Sequence, residues 1–336
     1  MALRAGVFRG AGRMPIERVP DPEAGPADVV VDVHACGVCG SDLHAFTEGM
    51  FAAPGQVMGH EFAGEIAKVG AEVTGLTVGD RVTGVPIQPC GRCRRCAESC
   101  GHLCEVWGTR SIAFGLPGAF AERVRIPDAV AGRNVHRLPE SLSCEDGALV
   151  EPLSVAVHAV RRADPLPGQQ AVVLGLGTIG LHVAQVLLAQ GISVLGVDRS
   201  PLRRAIAGEL GVAASSCVAE VSGETEVDLV FEATGVSGLV AQAAEVVRPR
   251  GTVLVLALYE SPAELDPTRW VHKEITLRGS AMVTPEDFHY AIELLSSGRA
   301  KAQPLITHRM PLAELGAAFE TQRDAEHAVK VLVVRD

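Results

Sequence analysis

Aromatic residues make up only 4% of the 336 residues, with two Trp and two Tyr, so a large flat ligand finds few rings to stack on. A basic excess is missing too. Thirty Lys and Arg stand against 40 Asp and Glu, for a net charge of −10. The cations are scattered singly or in short pairs such as Arg94-Arg95 and Arg203-Arg204. No patch meets a run of phosphates, which excludes nucleic acid as a partner. No clean apolar run reaches membrane length either. The longest stretch, Ala171 to Gly191, is broken by Gly175, Gly177, Gly180, His182 and Gln185. It reads as a buried strand followed by a helix, so no membrane span is expected. Met1 to Pro22 lacks the apolar run of a signal peptide. Nine cysteines without such a signal point to a reducing compartment, where clustered thiols take metal rather than pair. The expected location is the cytoplasm.

What is present begins with length. A chain this long predicts two domains. Val29–Val33 and its neighbours, punctuated by Pro20, Pro22, Gly25 and Pro26, read as small strands of an irregular β unit. The stretch from Cys36 to Glu61 follows: Cys-Gly-Val-Cys-Gly-Ser-Asp-Leu-His, a short loop, then Gly-His-Glu. Cys39 offers a thiolate, His60 an imidazole and Glu61 a carboxylate. Zinc accepts all three, and three protein ligands leave a position open for water or substrate. Next, Cys90, Cys93 and Cys96 stand three apart, with Cys100, His102 and Cys104 close behind. Four thiolates close a tetrahedral shell, which is the structural kind of zinc site. Spacing alone leaves the fourth ligand open among these last three.

The second half alternates strands and helices, the pattern of a parallel sheet covered on both faces. After the linker Pro165–Gly168, strand 171–174 runs into Gly175-Leu-Gly-Thr178-Ile179-Gly180, which opens a helix to about Gln190. Strand 192–197 then ends in Asp198. In this setting the glycine motif binds a dinucleotide: backbone N–H groups and the helix N-terminus receive the pyrophosphate. Asp198 can accept from both ribose hydroxyls and repels a 2′-phosphate, favouring NAD, while the adjacent Arg199 pulls the other way. Arg203 is a further cofactor candidate. Later expectations are strands 227–232, 252–258, 274–280 and 328–334, and helices 146–161, 238–247, 285–297 and 311–321.

Gly-Val-Cys-Gly-Ser-Asp-Leu-His, the run from Gly59 to Gly70, and Glu151-Pro-Leu-Ser-Val together resemble the zinc-containing medium-chain alcohol dehydrogenases. Glu-Pro-Leu-Ser-Val, Lys273-Glu-Ile-Thr-Leu-Arg-Gly-Ser and Pro304-Leu-Ile-Thr-His-Arg resemble the polyol and (R,R)-2,3-butanediol dehydrogenase branch. The resemblance covers the whole chain and implies an α/β protein: a GroES-like irregular β catalytic domain (1–152 and 283–336) and a Rossmann doubly wound parallel sheet (153–282). It implies one catalytic and one structural zinc, with Cys104 as the fourth structural ligand, and NAD as cofactor. It places Glu151 at the catalytic zinc, with Glu61 and Glu151 as alternative ligands or one acting through water. Ser41 and His44 become a proton path, Asp42 the partner of His60, and Lys330 a pyrophosphate contact. His158 reads as a packed residue. The implied reaction moves a hydride between a secondary alcohol or vicinal diol and NAD, in a homo-oligomer (dimer or tetramer). A sorbitol-like or L-threonine dehydrogenase is an alternative substrate reading, and a catalytically silent NAD-binding sensor an alternative of another class.

Overall fold

The computed structural model describes residues 2–221 and 227–335. Two large sheets carry the chain. The first has seven strands, ordered Ile306–Pro311, Lys330–Val334, Val29–Gly37, Glu61–Val69, Arg81–Gly84 and Val135–Arg137, with Arg123–Ile126 also pairing on Val29–Gly37. Val29, Val30 and Val31 are fully buried, as expected where a strand is covered on both faces. Ile306–Pro311 and Lys330–Val334 come from far along the chain: Leu332 pairs with Gly37.

The second sheet has six strands, all parallel, ordered Ala213–Ser215, Ser193–Val197, Gln170–Leu174, Val227–Glu232, Val247–Val255 and Thr276–Gly279. The winding starts at Gln170–Leu174 and proceeds outward in both directions. The strand order therefore reverses beside Leu174, where the crevice of such a sheet takes its ligand. The helix Thr178–Ala189 starts there and is buried over most of its length. Against it lies Val150–Ala163, whose Leu153, Ala156, Val157 and Val160 are fully buried at helical spacing. The helix Pro285–Ser296 packs on the other side of Val150–Ala163.

Several elements differ from their sequence reading. A helix that was not anticipated, Gly40–Glu48, follows Cys39 and runs into the start of the loop expected after His44. The helix expected over 146–161 is two, Cys144–Ala148 and Val150–Ala163, meeting at Leu149. Pro152 falls in the first turn of the second, where its missing N–H costs nothing. The strand expected from 252 begins at Val247 and ends at Val255. The helix Pro201–Glu209, with Pro at its start and Ser200 as its cap, was not anticipated. Among the described residues, no helix is long and apolar enough to cross a membrane.

Candidate active site

The Val29–Gly37 strand delivers Cys39 just past its end, as the N-cap of the Gly40–Glu48 helix. Glu61 opens the neighbouring antiparallel strand and sits directly across from Gly37. A Cβ on Gly37 would stand 2.1 Å from Glu61 Oε2, so only glycine leaves room for this carboxylate. Donor atoms of Cys39, His60 and Glu61 all lie within 4.8 Å of one another. His60 and Glu61 are buried, while Cys39 is partly exposed.

Lys330 joins this group. Its Nζ donates to Glu61 Oε2 at 2.6 Å and to the carbonyl of Val38 at 2.9 Å, and both side chains are almost fully buried. The sequence reading placed Lys330 on the pyrophosphate; in this structure its ammonium is turned to Glu61. Its strand lies inside the sheet, and a buried ammonium is stable only where an opposite charge meets it.

Asp42 Oδ2 accepts from the backbone N–H of Cys39 at 3.0 Å and so caps the helix. Its other oxygen approaches His60 Nδ1 at 3.7 Å, too long for a hydrogen bond. Both atoms are buried and without a hydrogen-bond partner. Burial disfavours a charged His60 ring, yet the charges of Asp42 and Cys39 raise its pKa well above the usual value. The pocket thus demands positive charge among its donors. A thiol, an imidazole and a carboxylate within ligand distance of a common point meet that demand with a zinc ion, so the residues fit the metal.

Glu151, at the start of the Val150–Ala163 helix, is buried but outside the close trio. Burial pushes its carboxyl up to about 7, partly offset by His60, while Glu61 adds to the rise. Ser41 lies half-buried on the first turn after Cys39. His44, one turn on, has Nδ1 3.1 Å from Glu48 and 4.0 Å from Glu260.

The cysteine lobe gathers Cys90, Cys93, Cys96 and Cys104, and leaves Cys100 outside the four. Sulfur separations of 3.5, 3.9 and 4.0 Å bracket the edge of a tetrahedron of 2.3 Å zinc–sulfur bonds, roughly 3.8 Å. Backbone N–H groups of Arg92 and Cys93 hold the Cys90 thiol down to about 6, favouring the thiolate that binds metal. The lobe fits a structural zinc.

At the switch point, Gly180 packs where a Cβ would stand 1.8 Å from the Gly175 carbonyl. Gly177 caps the helix, Thr178 is buried and Ile179 half-buried. Asp198 accepts from the Leu176 N–H and the Ser200 N–H, both at 2.8 Å, so it also braces the glycine turn. Arg203 reaches to 3.5 Å from Asp198, and Arg199 is exposed beside it. Thr178 Oγ1 donates to the carbonyl of Val329 at 2.9 Å, and the next residue is Lys330. Through this contact the glycine turn and the Cys39–His60–Glu61 trio are neighbours. The sequence reading also missed Glu232. It ends its strand fully buried, accepting from Tyr259 Oη at 2.5 Å and from the Thr234 N–H at 2.8 Å. The only trace of it in sequence is an acid closing an apolar run.

Comparison with known proteins agrees with this arrangement. Residues 25–140 match the alcohol dehydrogenase GroES-like domain, and residues 178–297 match the zinc-binding dehydrogenase domain. A 2-dehydro-3-deoxy-L-galactonate 5-dehydrogenase of Pseudoalteromonas atlantica is 35% identical, over 93% of this chain and 92% of that protein. Among solved structures, a zinc-binding dehydrogenase of Sinorhizobium meliloti bound to NADP superposes with a TM-score of 0.92 at 30% identity, covering 99% of both chains. The 2R,3R-butanediol dehydrogenase of Bacillus subtilis gives 0.88 at 31% identity, covering 99% of this chain and all of that one. The chain belongs to the zinc-dependent medium-chain alcohol dehydrogenase family, in its polyol-like branch. It is an oxidoreductase that works with zinc and a nicotinamide dinucleotide.

Proposed function

We propose that this enzyme oxidises, with NAD, a secondary alcohol that carries a neighbouring oxygen, a vicinal diol above all. The observation that carries the reading is the Thr178–Val329 hydrogen bond, which brings the glycine turn next to the buried Glu61–Lys330 pair and its metal donors. When bound, the zinc supplies Lewis-acid activation of the alcohol oxygen and the nicotinamide accepts the hydride. Cys39 and His60 would hold the metal, with Glu61, paired to Lys330, and the buried Glu151 as alternative third donors. Ser41 takes the alcohol proton and His44 passes it towards solvent, where Glu48 and Glu260 lie. Gly175, Gly177, Thr178, Ile179 and Gly180 receive the pyrophosphate. Asp198 accepts from the ribose hydroxyls and disfavours a 2′-phosphate, against the pull of Arg199 and Arg203.

Two features support a substrate with adjacent hydroxyls. Glu151, a buried carboxyl beside His60 and Glu61, offers an oxygen that can accept from a second hydroxyl of the substrate. A sugar acid and a vicinal diol are also named in two of the similar proteins. The first of these favours a longer, polyol-like substrate as the second reading. The exposed edge strand Thr276–Gly279, with its Leu277 and the nearby Val271 both bare, supports a homo-oligomer. Nine free cysteines support a cytoplasmic location. We retain 1–152 with 283–336 as the catalytic domain and 153–282 as the nucleotide domain.

The test compares 2,3-butanediol, 2-butanol and sorbitol at matched concentrations with NAD and with NADP, on zinc-replete protein. Faster turnover of the diol or polyol with NAD is expected, since a site built to bond a hydroxyl rejects the analogue lacking it. Equal or better use of 2-butanol overturns the substrate, and a preference for NADP overturns the role of Asp198.

A further inference from the structure

His158 lies two turns after Glu151 on the Val150–Ala163 helix and is 8% exposed. Its Nδ1 is 2.8 Å from Asp287 Oδ2 on the Pro285–Ser296 helix. Asp287 is fully buried and already accepts from Arg161 at 2.8 Å and from the Thr284 N–H at 2.9 Å. An ionised carboxylate so placed can only accept, which puts the proton of His158 on Nδ1 and leaves a lone pair on Nε2. That Nε2 is buried and has no partner among the described residues.

The His158 ring packs against that of His102, carried by the turn Gly101–Leu103 of the cysteine lobe. The two ring centroids are 4.8 Å apart, with the planes inclined at 64°. His102 Nδ1 is likewise buried and unpartnered. Two rings in contact, each with a buried imidazole nitrogen left unpartnered, cost free energy unless a ligand satisfies those nitrogens. A carboxylate orienting a histidine from behind is the arrangement that makes imidazole a good metal ligand. A cavity of about 420 Å³, lined by Gln88, His102, Arg110, Thr284 and Glu286 among others, reaches the pair from the His102 side and gives room for water ligands and an entry path.

We propose that His102 and His158 form a further transition-metal site, oriented by Asp287 and completed by water from this cavity. Paired imidazoles with oxygen ligands suit Zn²⁺, Ni²⁺ and Cu²⁺. An ion here ties the cysteine lobe to the helix that carries Glu151.

The test loads wild-type protein with zinc, removes the excess, and titrates more Zn²⁺ by calorimetry, with metal counted by elemental analysis. One additional equivalent is expected in wild type and none in His102→Asn or His158→Gln, with circular dichroism confirming that each is folded. Asp287→Asn should weaken the added site by about 10–100-fold. The result is read as a difference between proteins, so it stands whatever the metal count of the other two sites. Cu²⁺ bound to the unmodified protein gives a second readout, with electron resonance showing nitrogen coupling from two imidazoles. Absence of an additional equivalent at millimolar Zn²⁺, equal binding by His102→Asn, or a copper spectrum without nitrogen coupling overturns the site and leaves a bridging water in its place.

Discussion

At the scale of single residues, Lys330 is where the site and the stability of the fold meet. Its ammonium and the Glu61 carboxylate are both taken out of water, and each makes the other tolerable. Replacing one partner strands the other. Lys330→Met should therefore cost about 3–5 kcal/mol in denaturant unfolding. The double variant Lys330→Met/Glu61→Gln should recover most of that loss, because no isolated charge remains. A single variant as stable as wild type would mean that Glu61 finds another cation. In sequence Lys330 was one lysine in a β-rich run, and its partner lies 269 positions away. Nothing local announces such a pair. Cys39, His60, Cys90, Cys93 and Cys96 were legible because a ligand declares itself by type and spacing, whereas Cys104 was set apart from Cys100 and His102 only by the family resemblance. The separation of Glu61 from Glu151 was not legible, because it depends on which acid the distant lysine reaches.

Among elements, the contact between the Val135–Arg137 strand and the Pro285–Ser296 helix carries a pH dependence. His136 stacks on Phe288, with centroids 5.5 Å apart at 28°, and its Nε2 lies 3.3 Å from the Arg133 carbonyl. Burial drives its pKa from 6.5 down to about 4, assisted by His289 and opposed by the Arg133 carbonyl and Glu286. The folded state thus keeps the ring neutral while the unfolded chain protonates it first. This contribution is intact above the unfolded value near 6.5 and is lost as pH falls towards 4, by roughly 3 kcal/mol in all. In His136→Phe the fall in stability between those pH values should be visibly shallower in unfolding curves. An unchanged slope would place the dependence on other groups. The elements themselves were mostly legible, since alternation and the glycine turn set the parallel sheet. The Gly40–Glu48 helix was not. Its buried face rests on Asp42, Ala45 and Phe46, too few apolar positions to show a helical period, and its cap uses the same Cys39 and Asp42 that read as metal chemistry.

The whole molecule depends on its cysteine lobe in a different way from its chemistry. Among the described residues the lobe has little regular structure beyond the short helix Arg94–Ala97 and the turn Gly101–Leu103, so its sulfurs must be tied by metal. Cys93→Ser should remove one zinc per chain by elemental analysis and lower the melting temperature, while NAD binding persists in the other sheet. Full metal content with unchanged melting would show that the lobe stands without its ion. Timing during synthesis separates the two metal centres as well. Cys90 and Cys104 are 14 positions apart, so the lobe can close as soon as this short segment has left the ribosome. Glu61 and His60 are made early but wait for Lys330 and the Lys330–Val334 strand, which must thread back beside Val29–Gly37. The structural ion can therefore enter a nascent chain, whereas the reacting centre takes its final form only after residue 330 has been made, and an unfinished polypeptide is held inert.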